Sequence, residues 1–334
     1  MKKKLISLFL ISILLCGCSG GVNDSKQTGE PKCEKEIFAM DTIMNLTIYG
    51  ENASSVMNDA VSLIQRLDKA FSVTNKDSDI AKLNNAGGKA VSVSDDTYEL
   101  LQRSLEFSNK TDGLFDISIY PLVKAWGFTT EDYHVPDEQT RKKILANVDY
   151  KKVKLLNDNK VQMKPGMEIE LGAVAKGYLS QKLMDLLKEQ NIQSAIVSLG
   201  GNVQALGEKE GGNPFVVGIT DPADGSSLYG TIEVKNQAVI TSGIYQRYFE
   251  EGGKRYHHIM DKRSGMPADN SLASVTVISS DGVQADALAT ALYVMGDAKA
   301  KEYQENHPEI QLILIYKDGN YWQSENAGMK RTGG

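Results

Sequence analysis

Between Ser194 and Ser279 the chain runs through six short segments rich in β-branched and aromatic residues, SAIVSL, FVVGIT, GTIEVK, AVITS, YQRYFE and SVTVIS, with no helical pattern between them. Parallel strands need long crossovers, usually helical, so strands spaced this closely pair antiparallel. The first half reads differently. After an alternating opening strand or hairpin in EIFAMDTIMNLTIYG, Val56, Ala60, Ile64 and Leu67 recur at helical spacing, with Asn52 or Ser54 near the cap, and a second helix starts after Ser94. GVQADALATALYVMG returns to helix, and IQLILIYKDGNYWQS reads as a hairpin around Asp318-Gly319. Helices early and antiparallel strands late predict an α+β fold, not a doubly wound sheet.

The N-terminus limits where the chain works. MKKKLISLFLISILLCGC has three lysines and an apolar run from Leu5 to Cys16, too short for the roughly 20 residues that span a bilayer. It reads as a secretory signal, and Leu15-Cys16-Gly17-Cys18 resembles a bacterial lipobox. That assigns residues 1–17 to a cleaved signal, Cys18 to lipidation, residues 18–35 to a polar tether and residues 36–330 to one folded domain. The protein is then expected to be lipid-anchored on the extracytoplasmic face of the cell membrane. Loss of residues 1–17, which hold three Lys and no acid, takes the net charge from −6 to −9. Nucleic-acid binding rests on basic patches, so this balance argues against it. Cys33 is the only remaining thiol, which rules out an internal disulfide or a Cys-based metal site in the mature chain.

No Walker motif and no Gly-x-Gly-x-x-Gly between strand and helix is present. Gly87-Gly88 and Gly200-Gly201 read first as tight turns. Three features carry chemistry. LGAVAKGYLSQKLMDLLKEQ begins a helix near Ala173, with Leu179, Leu183, Leu186 and Leu187 on its apolar face and Lys176 in its first turn. Helix N-termini disfavour cations, so Lys176 there calls for an anion, or for a side chain that simply reaches water. Asp286 and Thr290 are four apart, which on a helix stacks two hard oxygens on one face, a pair suited to Mg²⁺. The plainer reading is a helix-dipole aspartate and a threonine bonded back to the preceding turn. In KRYHHIMDKRSGMP, a continuing strand sends His257 and His258 to opposite faces; the inner one, near Asp261, is either a general base or a structural histidine. His134 and His307 sit in polar, Pro-flanked loops as bystanders.

Eight motifs occur in the order found in the ApbE family of lipoprotein FAD:protein FMN transferases, which the chain resembles over nearly its whole mature length. They are Ala39-Met40-Asp41-Thr42, Thr111 to Asp116, Pro121-Leu122 with Trp126-Gly127-Phe128, Leu171 to Tyr178, Ser198 to Asn202, Thr241-Ser242-Gly243, His258 to Asp261, and Ala285 to Leu292. The resemblance implies an ApbE-like, T-fold-like architecture of antiparallel sheets with packed helices. It implies Mg²⁺-dependent transfer of FMN from FAD to a Thr or Ser hydroxyl of a target protein, with release of AMP. By position, Met40, Leu114, Phe115, Asp116, Glu170, Lys176 and Met260 are the implied FAD contacts, and Thr74 stands where an aromatic often meets the flavin. The backbone carbonyl of Ala173 and the side chains of Asp286 and Thr290 are the implied metal ligands. His258 is the implied base, and Lys176 is expected to add its charge to the FAD diphosphate.

The sequence departs from the family pattern at Asp41, which replaces a glycine, and at Glu170 and Gln181, where aspartate is common. Implied partners are exported or membrane flavoprotein subunits of electron-transfer complexes. Two other readings stay open: a FAD pyrophosphatase in which water replaces the acceptor, and a flavin-binding carrier lipoprotein, which would need neither base nor metal.

Overall fold

A computed structural model describes residues 31–332. The signal segment 1–17 and the lipidation residue Cys18 lie outside the described residues, as does most of the expected tether. Its last residues do not. Strand β1 starts at Lys32, four residues before the expected boundary at Glu36, because Lys32 to Ala39 pair in continuous register with the next strand.

The main sheet has eight strands, β1 Lys32–Ala39, β2 Thr42–Tyr49, β3 Ser194–Leu199, β4 Asn202–Leu206, β5 Ala238–Gly243, β6 Leu272–Ser279, β7 Gln311–Tyr316 and β8 Tyr321–Gln323. They lie side by side in chain order, every pair antiparallel. The α+β expectation therefore holds. The β1–β2 connection is a two-residue turn, Met40-Asp41, with φ of 49° and 57°. Two positive φ values define the hairpin turn whose twist matches the strands. Aspartate tolerates that region better than most side chains, which accounts physically for Asp41 in a glycine's place.

Four helices cover one face: α1 Ala53–Phe71, α2 Asp95–Lys110, α3 Ala175–Glu189 and α4 Gly282–Met295. α1 buries the register read from its sequence, Val56, Ala60, Ile64 and Leu67, together with Met57 and Phe71. Asn52 sits at its N-cap position, but its side chain donates to the Gln190 carbonyl (3.0 Å) instead of capping. A small three-stranded sheet, Phe215–Thr220, Leu228–Val234 and Lys330–Arg331, packs on the opposite face through Phe215, Val217, Ile232 and Val234 against Val239, Ile278, Ile313 and Ile315. Central strand β6 is thus buried at all eight positions. Covered on both sides, it reads as an unbroken small and apolar run instead of an alternating one. A third, aromatic cluster around Leu122, Trp126, Phe128 and Met260 joins helices Tyr120–Ala125 and Glu138–Leu145 to the hairpin Tyr248–Glu251/Lys254–His257. Among the described residues no helix is long and apolar enough to cross a membrane.

Candidate active site

α4 is buried around its whole circumference, eleven of its fourteen residues lying inside. Asp281 starts it, its carboxylate accepting from the Val283 and Gln284 N–H groups (2.9 and 3.2 Å). Within this helix Asp286 is only 4 % exposed. A buried carboxylate is costly unless it is hydrogen-bonded and paired. Its Oδ1 accepts from Asn202 Nδ2 (3.0 Å) and its Oδ2 from the backbone N–H of Gly177 (2.8 Å). Among the described residues no Lys, Arg or His lies within ion-pair distance of it.

The Gly177 bond has a second effect. α3 begins after Val174, which has no side-chain cap, and Lys176 is its second residue. A regular turn would send the Gly177 N–H to the carbonyl of Ala173. Asp286 takes that N–H instead, and among the described residues the Ala173 carbonyl accepts no hydrogen bond. The approach is possible because the helices touch through glycines. A Cβ at Gly177 would lie 2.3 Å from the Gly282 carbonyl oxygen and 2.5 Å from Asp286 Cβ, and one at Gly282 would lie 2.7 Å from the Gly177 carbonyl oxygen. The Gly172 N–H is taken by Glu170 Oε2 (2.7 Å), whereas the N–H groups of Ala173 and Lys176 have no partner among the described residues. Two free donors and a lysine at a helix start make a site for an anion.

Thr290, half-buried one turn after Asp286, pairs its hydroxyl with Ser242 Oγ (3.2 Å), not with the carbonyl of the preceding turn. The junction thus gathers one carboxylate with no counter-ion, one hydroxyl and one carbonyl with no donor. Among the described residues no group of three or more His, Cys, Asp or Glu could hold a metal. So sparse a set of hard oxygens fits Mg²⁺, which retains water and takes substrate phosphate oxygens.

The hairpin strand ends at His257, so His258 belongs to the following loop and strand alternation does not apply to the pair; of the two, His257 is the buried one. His257 is buried against the Tyr293 ring, with Nε2 on the Ala268 carbonyl (3.0 Å), and burial lowers its pKa to about 4. It is the structural histidine. His258 is half-buried; its backbone N–H and its Nδ1 both meet the Arg247 carbonyl (3.1 and 3.2 Å). A carbonyl only accepts, so Nδ1 carries the hydrogen and the Nε2 lone pair is left to take a proton. Burial lowers its pKa to about 3 against the Arg247 bond, and the Arg247 and Lys176 charges add to the lowering. Asp261 does not serve it: both Asp261 oxygens are held by Arg263 (2.8 to 3.0 Å). Glu170 completes the group. Its pKa is raised by burial, against the Gly172 N–H and the charges of Lys176 and Arg247.

Lys176, Glu170, His258, Ala173, Asp286 and Thr290 therefore share the region around the start of α3. Other positions named from the sequence have different surroundings. Phe115 is 2 % exposed and its side chain belongs to the main core. Asp116 is occupied: Oδ1 accepts from the Ser118 N–H and hydroxyl, and Oδ2 from Lys262 Nζ (2.7 Å) and the Tyr150 N–H. Leu114 is half-buried beside the core, and Met260 packs in the aromatic cluster. The Met40 N–H donates to Asp68 on α1 (2.8 Å), and the Thr74 hydroxyl pairs with Ser72 Oγ (3.2 Å). Sequence reasoning gave no role to Asn202, Ser242 or Arg247. Asn202 and Ser242 stood inside recognised motifs, the only signal available for them.

A model of the ApbE family matches residues 40–314. A FAD:protein FMN transferase of Klebsiella pneumoniae is 37 % identical over 261 residues, covering 77 % of this chain and 80 % of that protein. One of Treponema pallidum is 32 % identical over 329 residues, 92 % and 91 % of the two chains. Among solved structures, the ApbE protein of Thermotoga maritima superposes with a TM-score of 0.83 at 33 % identity, over 88 % of this chain and 97 % of that one. The flavin transferase ApbE of Vibrio cholerae superposes with a TM-score of 0.79 at 26 % identity over the same shares.

Proposed function

The chain belongs to the ApbE family, and from that membership we infer that it is a FAD:protein FMN transferase whose chemistry is assembled where α3 meets α4. The observation that carries the assignment of residues is the 2.8 Å bond from the Gly177 N–H to Asp286, which sets an anion-binding helix start beside a buried, unpaired carboxylate. Lys176 and the free N–H groups of Ala173 and Lys176 bind the FAD diphosphate. The Ala173 carbonyl, Asp286 and Thr290 hold Mg²⁺, which when bound neutralises phosphate charge and polarises the phosphoryl oxygens.

His258 Nε2 takes the proton of an acceptor Thr or Ser hydroxyl as its oxygen attacks the FMN phosphorus. The bond to the AMP oxygen breaks, and AMP leaves with the electron pair. Lys176 stays beside the charge so released. Acceptors are exported or membrane flavoprotein subunits of electron-transfer complexes. A lipid on Cys18 holds the enzyme at the extracytoplasmic face of the membrane.

The test incubates the protein with FAD, Mg²⁺ and an acceptor domain bearing an Asp-Ser/Thr-Gly-Ala-Thr-like sequence. Covalent flavin fluorescence on the acceptor is the expected result. Release of free FMN alone would make the protein a pyrophosphatase, and tight FAD binding without turnover a carrier. For the anchor, Cys18→Ser is expected to move the protein from the membrane to the soluble fraction, and an unchanged distribution refutes lipidation there.

A further inference from the structure

The segment after β5 links both halves of the site. Ser242 pairs with Thr290, Gln246 Nε2 braces the turn on the Thr241 carbonyl (3.0 Å), and the Arg247 carbonyl holds two groups of His258. Arg247 is anchored by its main chain, while its side chain is exposed. Among the described residues its guanidinium makes no hydrogen bond or ion pair. Its charge reaches both Glu170 and His258, as does that of Lys176.

Charge balance gives this free cation a task. FAD brings two negative charges in its diphosphate, beside the buried Asp286 carboxylate. In the chemical step the acceptor's proton goes to His258, so the charge gained by AMP is balanced overall but falls on the leaving oxygen while the proton stays on the base. A cation on the diphosphate itself would meet charge there that His258 does not. We propose that Arg247 is a further catalytic residue: its guanidinium binds the FAD diphosphate beside Lys176 and holds the charge left on departing AMP, while its carbonyl fixes the tautomer of His258. The inference rests on the transferase reading. A planar guanidinium suits two phosphate oxygens at once, so its grip strengthens where charge accumulates.

Full-length Arg247→Ala and Arg247→Lys decide it, with equilibrium affinities for FAD, ADP and riboflavin measured in Mg²⁺ buffer without acceptor, followed by transfer rates. Arg247→Ala is expected to weaken FAD and ADP about ten-fold or more, as loss of a charge-assisted bond does. Riboflavin, which has no phosphate, keeps its affinity, kcat for transfer falls, and Arg247→Lys recovers part of the loss. Unchanged FAD and ADP affinity, or an equal loss for riboflavin, overturns the proposal, and so does a defect confined to the KM for acceptor. If the wild-type protein binds FAD but never labels an acceptor, the transferase reading fails, and the ADP comparison still decides whether Arg247 grips a diphosphate.

Discussion

Gly177→Ala sets two effects of opposite sign against each other. Gly177 lies inside a helix with ordinary dihedral angles, so propensity alone favours alanine by about 1 kcal/mol. Packing says the reverse. The added methyl would meet the Gly282 carbonyl oxygen at 2.3 Å and Asp286 Cβ at 2.5 Å, both well inside contact distance, and the nearer atom is backbone. Overpacking of this kind costs about 1–3 kcal/mol, and pushing α3 from α4 stretches the Gly177–Asp286 bond, a charged bond worth about 1.5–3 kcal/mol. The expected net loss is about 2–4 kcal/mol, or roughly 4–8 °C in Tm at the shift per kcal/mol found in large domains. Urea unfolding followed by circular dichroism, in chelator so that no divalent ion contributes, measures the first number; transfer rate, expected to fall with it, measures the functional half. A variant as stable as wild type or more so, transferring at the normal rate, refutes the claim that the glycine contact assembles the site.

Lys176→Ala is expected to weaken FAD about ten-fold and to slow transfer, and unchanged affinity and rate with and without Mg²⁺ would remove the diphosphate from its account. The depressed pKa of His258 leaves it unprotonated well below the usual 6.5, so the rate attributed to its base function should persist into mildly acid solution; a half-maximal rate near pH 6.5 contradicts this. His257, neutral when folded with a pKa of about 4 against 6.5 unfolded, contributes stability that is fully present above pH 6.5 and is lost as pH falls towards 4. The loss is on the order of 3 kcal/mol and is read as a falling Tm between pH 7 and 5 that His257→Gln flattens. Lys262→Ala strands the buried Asp116 carboxylate and should cost about 3 kcal/mol in urea unfolding, whereas a change under about 0.5 kcal/mol would mean that Ser118 and Tyr150 suffice.

The elements that sequence reasoning recovered are those whose signal is local. Apolar spacing found α1 and α3, Ser94 marked the start of α2, and β-branched runs found β3, β5, β6 and the β7–β8 hairpin. What the sequence did not announce is long-range. Nothing near Asp116 announces that Lys262 will occupy it from 146 positions away. Phe115 carries the same motif letters whether its ring faces a ligand or the core, and only packing decides. Which histidine turns inward depended on where the Lys254–His257 strand stops, and strand ends are set by the partner strand, here Tyr248–Glu251, more than by the residues themselves. β1 could not be told from a tether at Lys32 because KCEKE is polar; pairing with β2 supplies the order that composition does not.

Asp286 shows why the most local pattern and the least local geometry had to meet in one place. Two residues four apart on a helix are common, and a dipole-favoured aspartate needs no other explanation on a helix that has a solvent face. α4 has none at that position, so the carboxylate bears a desolvation cost that solvent cannot relieve. Two neutral donors, the Gly177 N–H and the Asn202 amide, reduce that cost but leave its charge unopposed. Among the described residues no side chain opposes that charge, and the same N–H that stabilises Asp286 is withheld from the Ala173 carbonyl, leaving an acceptor with no donor among them. The divalent cation proposed above would relieve both deficits. Binding one should therefore raise the stability of the protein itself, by an amount set by its concentration relative to its Kd, before any flavin is present. A thermal scan with increasing Mg²⁺ and no FAD reads this directly. The Tm should climb in wild type and stay flat in Asp286→Ala; a flat response in both would mean that the two helices meet for packing alone.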